Sequence, residues 1–317
     1  MGAESRLSHF VYPRACYSDT DRLVADKSLT STDVAQPALG AVEVALWRLI
    51  QGMGLQADMV AGHSYGEFVA LFAAGVFDFE ALLSLSEARG RYIVDAAKQV
   101  GEELGTMAAV KAGRQAVEAA IRDIPELVVA NHNSPTQSII SGSVADVERA
   151  AASLEAAGLH VNRLHVAAAF HSRFVAPAQH DFAALIGQMD WNQAQLPVYS
   201  NSTGARHDAD PEALKLSMSE HLTNPVEFVR EIESMYGDGA RIFVEIGPRS
   251  VLTRLAGEIL ADRQHVAIAT DGMGGGVAGL MDAIGQLWCA GINLQVMQLF
   301  AGRDAVNCDI RDLVAKP

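Results

Sequence analysis

The stretch Gly62-His63-Ser64-Tyr65-Gly66 sets a serine between two glycines at G-x-S-x-G spacing. A serine so placed is suited to attack an acyl carbonyl. Glycines let a strand and a helix cross closely, and the sharp turn between them projects the Ser64 hydroxyl from the surface. The backbone N–H of Tyr65, at the helix start, then faces the oxyanion that forms on the attacked carbonyl. A serine hydroxyl is a weak nucleophile at neutral pH and needs a neighbouring base. The chain offers ten histidines. His63 adjoins the serine, but neighbouring side chains in a turn point apart. His171, in AAFHS behind an apolar run, is best placed by sequence, although on residue type alone a lone histidine there reads as a satisfied core residue.

The elements that must carry these groups are legible in the periodicity. Val34, Ala38, Ala41, Val42, Ala45, Leu46, Leu49 and Ile50 recur at helical spacing between Thr32-Asp33 and Gly52-Met53-Gly54, which predicts a capped helix. A short apolar run at 58–61 leads into the serine motif, and 67–74 reads as a helix ending at Gly75. From 106 the pattern becomes strand (TMAAV), helix (114–121), strand (LVVAN), strand (SIIS), helix (144–157) and strand (HVNRLHV), a β-α-β-β-α-β succession. Further core strands are expected at 196–200 and 241–245, and a helix around Leu280, Ile284 and Trp288 with a turn at Gly291. The expected fold class is α/β: a hydrolase-like parallel-sheet core from residues 1–101 and 168–317, with a small ferredoxin-like α+β subdomain inserted at 102–167.

Composition narrows the choices. At 317 residues and 50% apolar, the chain is long enough for a large core with a second unit. Twenty-four basic against 38 acidic side chains give a net charge of −14, which argues against a nucleic-acid partner. Three cysteines without C-x-x-C spacing and scattered histidines support neither a disulfide framework nor a metal site. No apolar run approaches the roughly 18 residues of a membrane span, and the start MGAESRLSHF has no signal-peptide or myristoylation pattern, so a cytoplasmic protein is expected.

Motifs along the chain resemble one family in order: TDVAQPAL, GHSYGEF, EARGRYI, ANHNSPTQSIISG, AAFHS, PVYSNSTG, HLTNPVEF and FVEIGPRSVL. The chain resembles the malonyl-CoA:acyl-carrier-protein transacylases, and more closely the acyltransferase domains of type I polyketide synthases. The resemblance implies transfer of malonyl from malonyl-CoA, through an ester on Ser64, to the phosphopantetheine thiol of an acyl carrier protein, with no permanently bound cofactor and with a ketosynthase among the neighbouring domains. It makes His171 the base, held by a backbone carbonyl that falls at His221, whose own side chain is then free to vary. Arg89 matches the arginine that grips the free carboxylate of the acyl group, with His63 and Phe170 also at the substrate. Phe170 accords with malonyl, where methylmalonyl types usually carry serine. Ala168 departs from the histidine frequent in malonyl types, and Tyr65 from the glutamine of methylmalonyl types. Tyr65, AQPAL and YPRACYS resemble the iterative synthases of enediyne or polyunsaturated chains. Residues 277–317 would then include a linker following the acyltransferase.

Family members begin with a strand and a Gly-Gln-Gly turn that supplies a second oxyanion donor, and the first 31 residues contain no such turn. The resemblance therefore implies a fragment of a larger synthase or a sequence lacking that segment, and loss of one such donor costs about 100- to 1000-fold in rate. Two other readings compete. A G-x-S-x-G thioesterase or lipase would carry an HGGG-like loop and a late histidine, yet His265 is the only late one and has no motif around it. A non-catalytic docking fragment is the third.

Overall fold

The computed structural model describes residues 6–100, 104–164, 166, 168–272, 275–304, 308, 309 and 311. Two short helices, α1 (Leu7–Val11) and α2 (Asp19–Leu29), precede α3 (Thr32–Gly52). Ser31 rather than Thr32 is the N-cap of α3, a one-residue shift from the expected start. Its apolar stripe buries Val34, Ala38, Val44, Trp47 and Ile50. Next come α4 (Gly66–Ala73), short and almost wholly buried, and α5 (Phe79–Val100), which packs along α3. The crossing is close because Gly90 has no side chain: a Cβ there would lie 2.6 Å from Asp33 Cα and from Thr32 O. Gly90 thereby fixes where its neighbour Arg89 meets α3.

The middle of the chain forms the β-α-β-β-α-β unit: β1 (Thr106–Val110), α6 (Arg114–Ile121), β2 (Val128–Ser134), β3 (Gln137–Gly142), α7 (Val144–Ala156) and β4 (Val161–Arg163). The strands pair antiparallel in the order β2-β3-β1-β4, which is the ferredoxin-like arrangement. Alternation along the strands turns Ala108, Val110 and Ile140 toward Val117 and Ile121 of α6 and Val147 and Leu154 of α7, giving this unit its own core. The last strand is three residues, shorter than the expected 160–166. Residues 102, 165 and 167, where that strand and the unit's boundaries were expected to fall, lie outside the described residues.

Around the unit lies the larger α/β part: α8 (Ala176–Gln188), α9 (Pro211–Ser219), α10 (Phe228–Gly237), β5 (Ile242–Glu245), α11 (Val251–Ile259), β6 (Val266–Ala269) and α12 (Gly276–Cys289). Of the three strands expected here, 241–245 forms as β5, paired in parallel with β6, which the sequence reading did not anticipate. The runs at 58–61 and 196–200 meet only at a parallel bridge between Val60 and Val198. The larger sheet is therefore less continuous than expected. The reason is local: the 57–62 segment and β5 do not pair with each other but line a common cavity of about 720 Å³, with Met59, Ala61, Ile242 and Val244 in its walls. After α12 the chain turns at Gly291 (φ 89°), as expected. No helix among the described residues is long and apolar enough to cross a membrane.

Replacing Gly90 by alanine should lower the melting temperature, because the Cβ would meet backbone of α3 at an overpacking cost of about 1–3 kcal/mol. Helix propensity alone favours alanine by about 1 kcal/mol. A raised melting temperature in Gly90→Ala would therefore show that the α3–α5 crossing is looser than described.

Candidate active site

The serine turn is held open by one glycine, not two. A Cβ on Gly62 would lie 2.0 Å from Gly66 C and 2.4 Å from Glu67 N, so only glycine fits where the incoming segment crosses the start of α4. Gly66, expected to act in the same way, has open space where its Cβ would be. The turn forces Ser64 to φ 51°, a left-handed conformation that costs a non-glycine residue energy and persists only when neighbours enforce it. Ser64 remains half-buried at the surface, and among the described residues the Tyr65 N–H at the head of α4 finds no backbone or side-chain acceptor. That donor is free for an oxyanion.

Ser64 and His171 meet although 107 positions apart: Oγ lies 2.8 Å from Nε2. The opposite ring nitrogen, Nδ1, lies 2.7 Å from the backbone oxygen of Asn224. A carbonyl can only accept, so the proton sits on Nδ1 and leaves Nε2 to accept from the serine hydroxyl. The carbonyl expected at His221 is thus that of Asn224, because the 221–224 turn carries the chain past His221 before a carbonyl points at the ring. The side chain of His221 is not free to vary either. It is buried, stands edge-on to Phe68 and His171 with ring centroids 5.2 and 5.9 Å away, and sets Nε2 3.2 Å from Glu67 Oε2 in a charge contact that lacks hydrogen-bond alignment.

Burial, then the neighbouring His221 and the Arg89 charge, hold His171 well below the usual histidine range, while the Asn224 carbonyl opposes them. His63 and His221 are likewise pulled down, chiefly by burial. The ring beside Ser64 is therefore neutral at neutral pH, the form a general base requires. Burial alone would raise Glu67, but the hydrogen bond to His207 and the close contact with His221 outweigh it and hold the carboxyl at about 2.

Arg89 is 2% exposed, and its Nη1 donates to Gln36 Oε1 at 2.8 Å. Its Nε and Nη2 are buried with no partner, and among the described residues no carboxylate reaches it. Burial draws it down to about 10, so it stays cationic at neutral pH, and its charge is felt at both His171 and His221. Nε–H and Nη2–H lie on one edge of the guanidinium, the fork that accepts a carboxylate through two parallel bonds.

The other nominated residues divide. His63 turns away from Ser64 and places Nε2 2.8 Å from Asn133 Oδ1 on β2. Phe170 is half-buried, packed against both the larger core and the inner face of the small sheet. The Tyr65 side chain is not at the reacting atoms: it is buried, its hydroxyl 2.6 Å from Ser86 Oγ. Sequence reasoning missed Gln36, Asn201 and Asn224, of which only Gln36 carried a signal, an amide within an apolar helical stripe. Among the described residues no group of three or more metal-ligating side chains comes together.

A serine paired with a neutral histidine, under the charge of a buried arginine with two unpartnered nitrogens, is the setting in which the sequence matches acquire meaning, and residues 10–281 match the acyl transferase domain family. The chain belongs to that family. It is 33% identical over 307 residues to a polyunsaturated fatty acid synthase polypeptide of Thraustochytrium sp., a match that covers 95% of this chain but only 11% of the synthase polypeptide. It is 37% identical over 231 residues to the malonyl CoA-acyl carrier protein transacylase of Synechocystis sp., covering 73% of this chain and 76% of the transacylase. In structure it is similar to the acyltransferase domain from the second module of the salinomycin polyketide synthase, with a TM-score of 0.82 and 30% identity over 94% of this chain and 67% of that one.

The lowered pKa of His171 fixes the sign of a pH effect. Protonation silences the base, so the acid limb of Ser64 labelling by a fluorophosphonate should have its midpoint below 6.5. The unfolded chain takes up that proton first, so stability should also fall as pH drops below about 6.5. A labelling midpoint at or above 6.5 would contradict a buried, neutral His171.

Proposed function

We propose that this chain transfers a malonyl group from malonyl-CoA to the phosphopantetheine thiol of an acyl carrier protein through an ester on Ser64. One observation carries the substrate class: the unpartnered Nε and Nη2 edge of Arg89, buried beside the Ser64–His171 pair. A buried cation with two unmade hydrogen bonds is costly, and an acyl group ending in a carboxylate satisfies both. In the first half-reaction Ser64 Oγ attacks the thioester carbonyl while His171 Nε2 takes its proton, and Tyr65 N–H receives the oxyanion. His171 then passes the proton to the departing coenzyme A thiolate. In the second half the carrier's thiol gives its proton to His171 and attacks the Ser64 ester, His171 returns that proton to the departing Ser64 Oγ, and the malonyl thioester leaves on the carrier.

Arg89 holds the malonyl carboxylate throughout, which favours an orderly second attack by the thiol. Phe170 fills the side where a methyl branch would go, and such a clash is worth about 1–3 kcal/mol, so preference for malonyl over methylmalonyl is graded. We divide the chain at 102 and 167 and assign the small unit as a wall of the substrate cleft, since His63 and Asn133 join across that junction. A ketosynthase and other synthase domains are the natural neighbours of such a transferase. The three unpaired cysteines, two of them exposed, suit the reducing cytoplasm.

Arg89→Ala should lower kcat/KM for malonyl-CoA while lowering it less for acetyl-CoA. Loss of a charge-assisted hydrogen bond of about 1.5–3 kcal/mol corresponds to a change of about 10- to 150-fold in the ratio. An unchanged malonyl-to-acetyl ratio would return Arg89 to a purely structural role.

A further inference from the structure

Asn201 lies in the loop after the Val60–Val198 bridge, 1% exposed, and every polar group it has is used. Its side-chain oxygen accepts from the Ser64 N–H at 2.5 Å, while its Nδ2 donates to the Gly62 oxygen and to Glu231 at 3.2 Å. The carboxamide thus bonds both ends of the serine turn. Its backbone works in two further directions. The N–H donates to Glu67 Oε2 at 3.2 Å, and the C=O accepts from the Glu227 N–H at 2.7 Å. Glu227 lies three residues beyond Asn224, whose carbonyl orients His171.

The surroundings are built to keep this residue in place. Glu67, on α4, is tied to His207 Nε2 at 2.5 Å and contacts His221 Nε2 at 3.2 Å, while Glu231 faces the carboxamide from α10. Among the described residues, these two carboxyls and two histidines, together with Glu227, whose N–H meets the Asn201 carbonyl and whose carboxylate pairs with Arg114, are the titratable groups around it.

We infer that Asn201 is the positioning residue that sets the Ser64–His171 distance, by strapping the strained serine turn to the segment that holds the histidine. The inference rests on the acyl-transfer reading of the site, and the turn explains why a strap is needed. Ser64 sits at φ 51°, a conformation that relaxes unless its N–H and the Gly62 carbonyl are both held. A relaxed turn would swing Oγ off Nε2 and move the Tyr65 N–H with it. Misplacement by about 1 Å costs on the order of 100-fold in rate.

The test is the rate of Ser64 labelling by a fluorophosphonate, which needs nucleophile and base but not Arg89, alongside kcat and KM for malonyl-CoA. Asn201→Ala should slow labelling about 100-fold, with the loss in kcat and KM changed by less than about threefold. Asn201→Asp keeps shape and packing. When protonated, the introduced carboxyl can accept from Ser64 and donate to Gly62; when ionised, it can only accept, and it faces Glu67 and Glu231. Its labelling rate relative to wild type should therefore fall about tenfold or more from pH 6 to pH 9. A flat ratio, or wild-type labelling in a folded Asn201→Ala, overturns the proposal. So does failure of both variants to fold at every pH, since the residue would then hold the fold rather than the rate. If the wild type itself is not labelled at Ser64, the reading of the site fails first.

Discussion

The bond between His171 Nδ1 and the Asn224 carbonyl, 2.7 Å long, is the interaction on which the site depends. It fixes the imidazole tautomer, and so decides that Nε2 is an acceptor toward Ser64. A carboxylate in that place would stabilise a charged imidazolium, whereas a carbonyl orients the ring while adding no charge. That choice suits a site that already holds one unpaired buried cation. Arg89 is a buried cation whose Nε and Nη2 have no partner, and an anion placed against His171 would compete for it.

The acids behind the serine follow the same logic. Glu67 stays ionised because His207 and His221 support it, while burial and the Glu67 charge push Glu231 well above the usual carboxylate range. Two buried carboxyls so close cannot both ionise cheaply, and keeping one proton on Glu231 leaves the Asn201 amide between a charged and a neutral partner. The polar groups of Asn201 beneath the turn are thus satisfied without a second buried negative charge. The small subdomain closes the arrangement from the other side. Its β2 edge bonds backbone to backbone with Val226, two residues from Asn224, so the sheet and the histidine's carbonyl share one segment.

The element order of the small subdomain was legible in the sequence, because local alternation and short turns write β-α-β-β-α-β directly into residue order, although its last strand is shorter than the pattern suggested. The serine turn was legible too, since Gly62 reports a backbone constraint, although Gly66 does not. The larger sheet was less so: apolar runs such as 58–61 announce extended chain but not a partner, and while 58–61 and 196–200 meet at a single bridge, β5 pairs along its length with the unanticipated β6. Within the site, Ser64 and His171, read from the serine motif and the family resemblance, hydrogen-bond, and the charge of Arg89, which the resemblance alone put forward, is felt at His171. The supports did not announce themselves. A backbone carbonyl such as that of Asn224 leaves no mark on residue type, which is why the partner of His171 was misplaced by three residues. Asn201 looked like a loop asparagine, and its role is visible only from the bonds it makes to five residues distant in sequence.

The most direct measurement is mass analysis of the whole chain after brief mixing with malonyl-CoA and acid quench, followed by peptide mapping. The account predicts a single malonyl adduct on Ser64, absent in Ser64→Ala and in His171→Ala, and discharged to the carrier when a phosphopantetheinylated acyl carrier protein is added. An adduct on another residue, release of free malonate in place of transfer, or no adduct on the wild-type chain would contradict it.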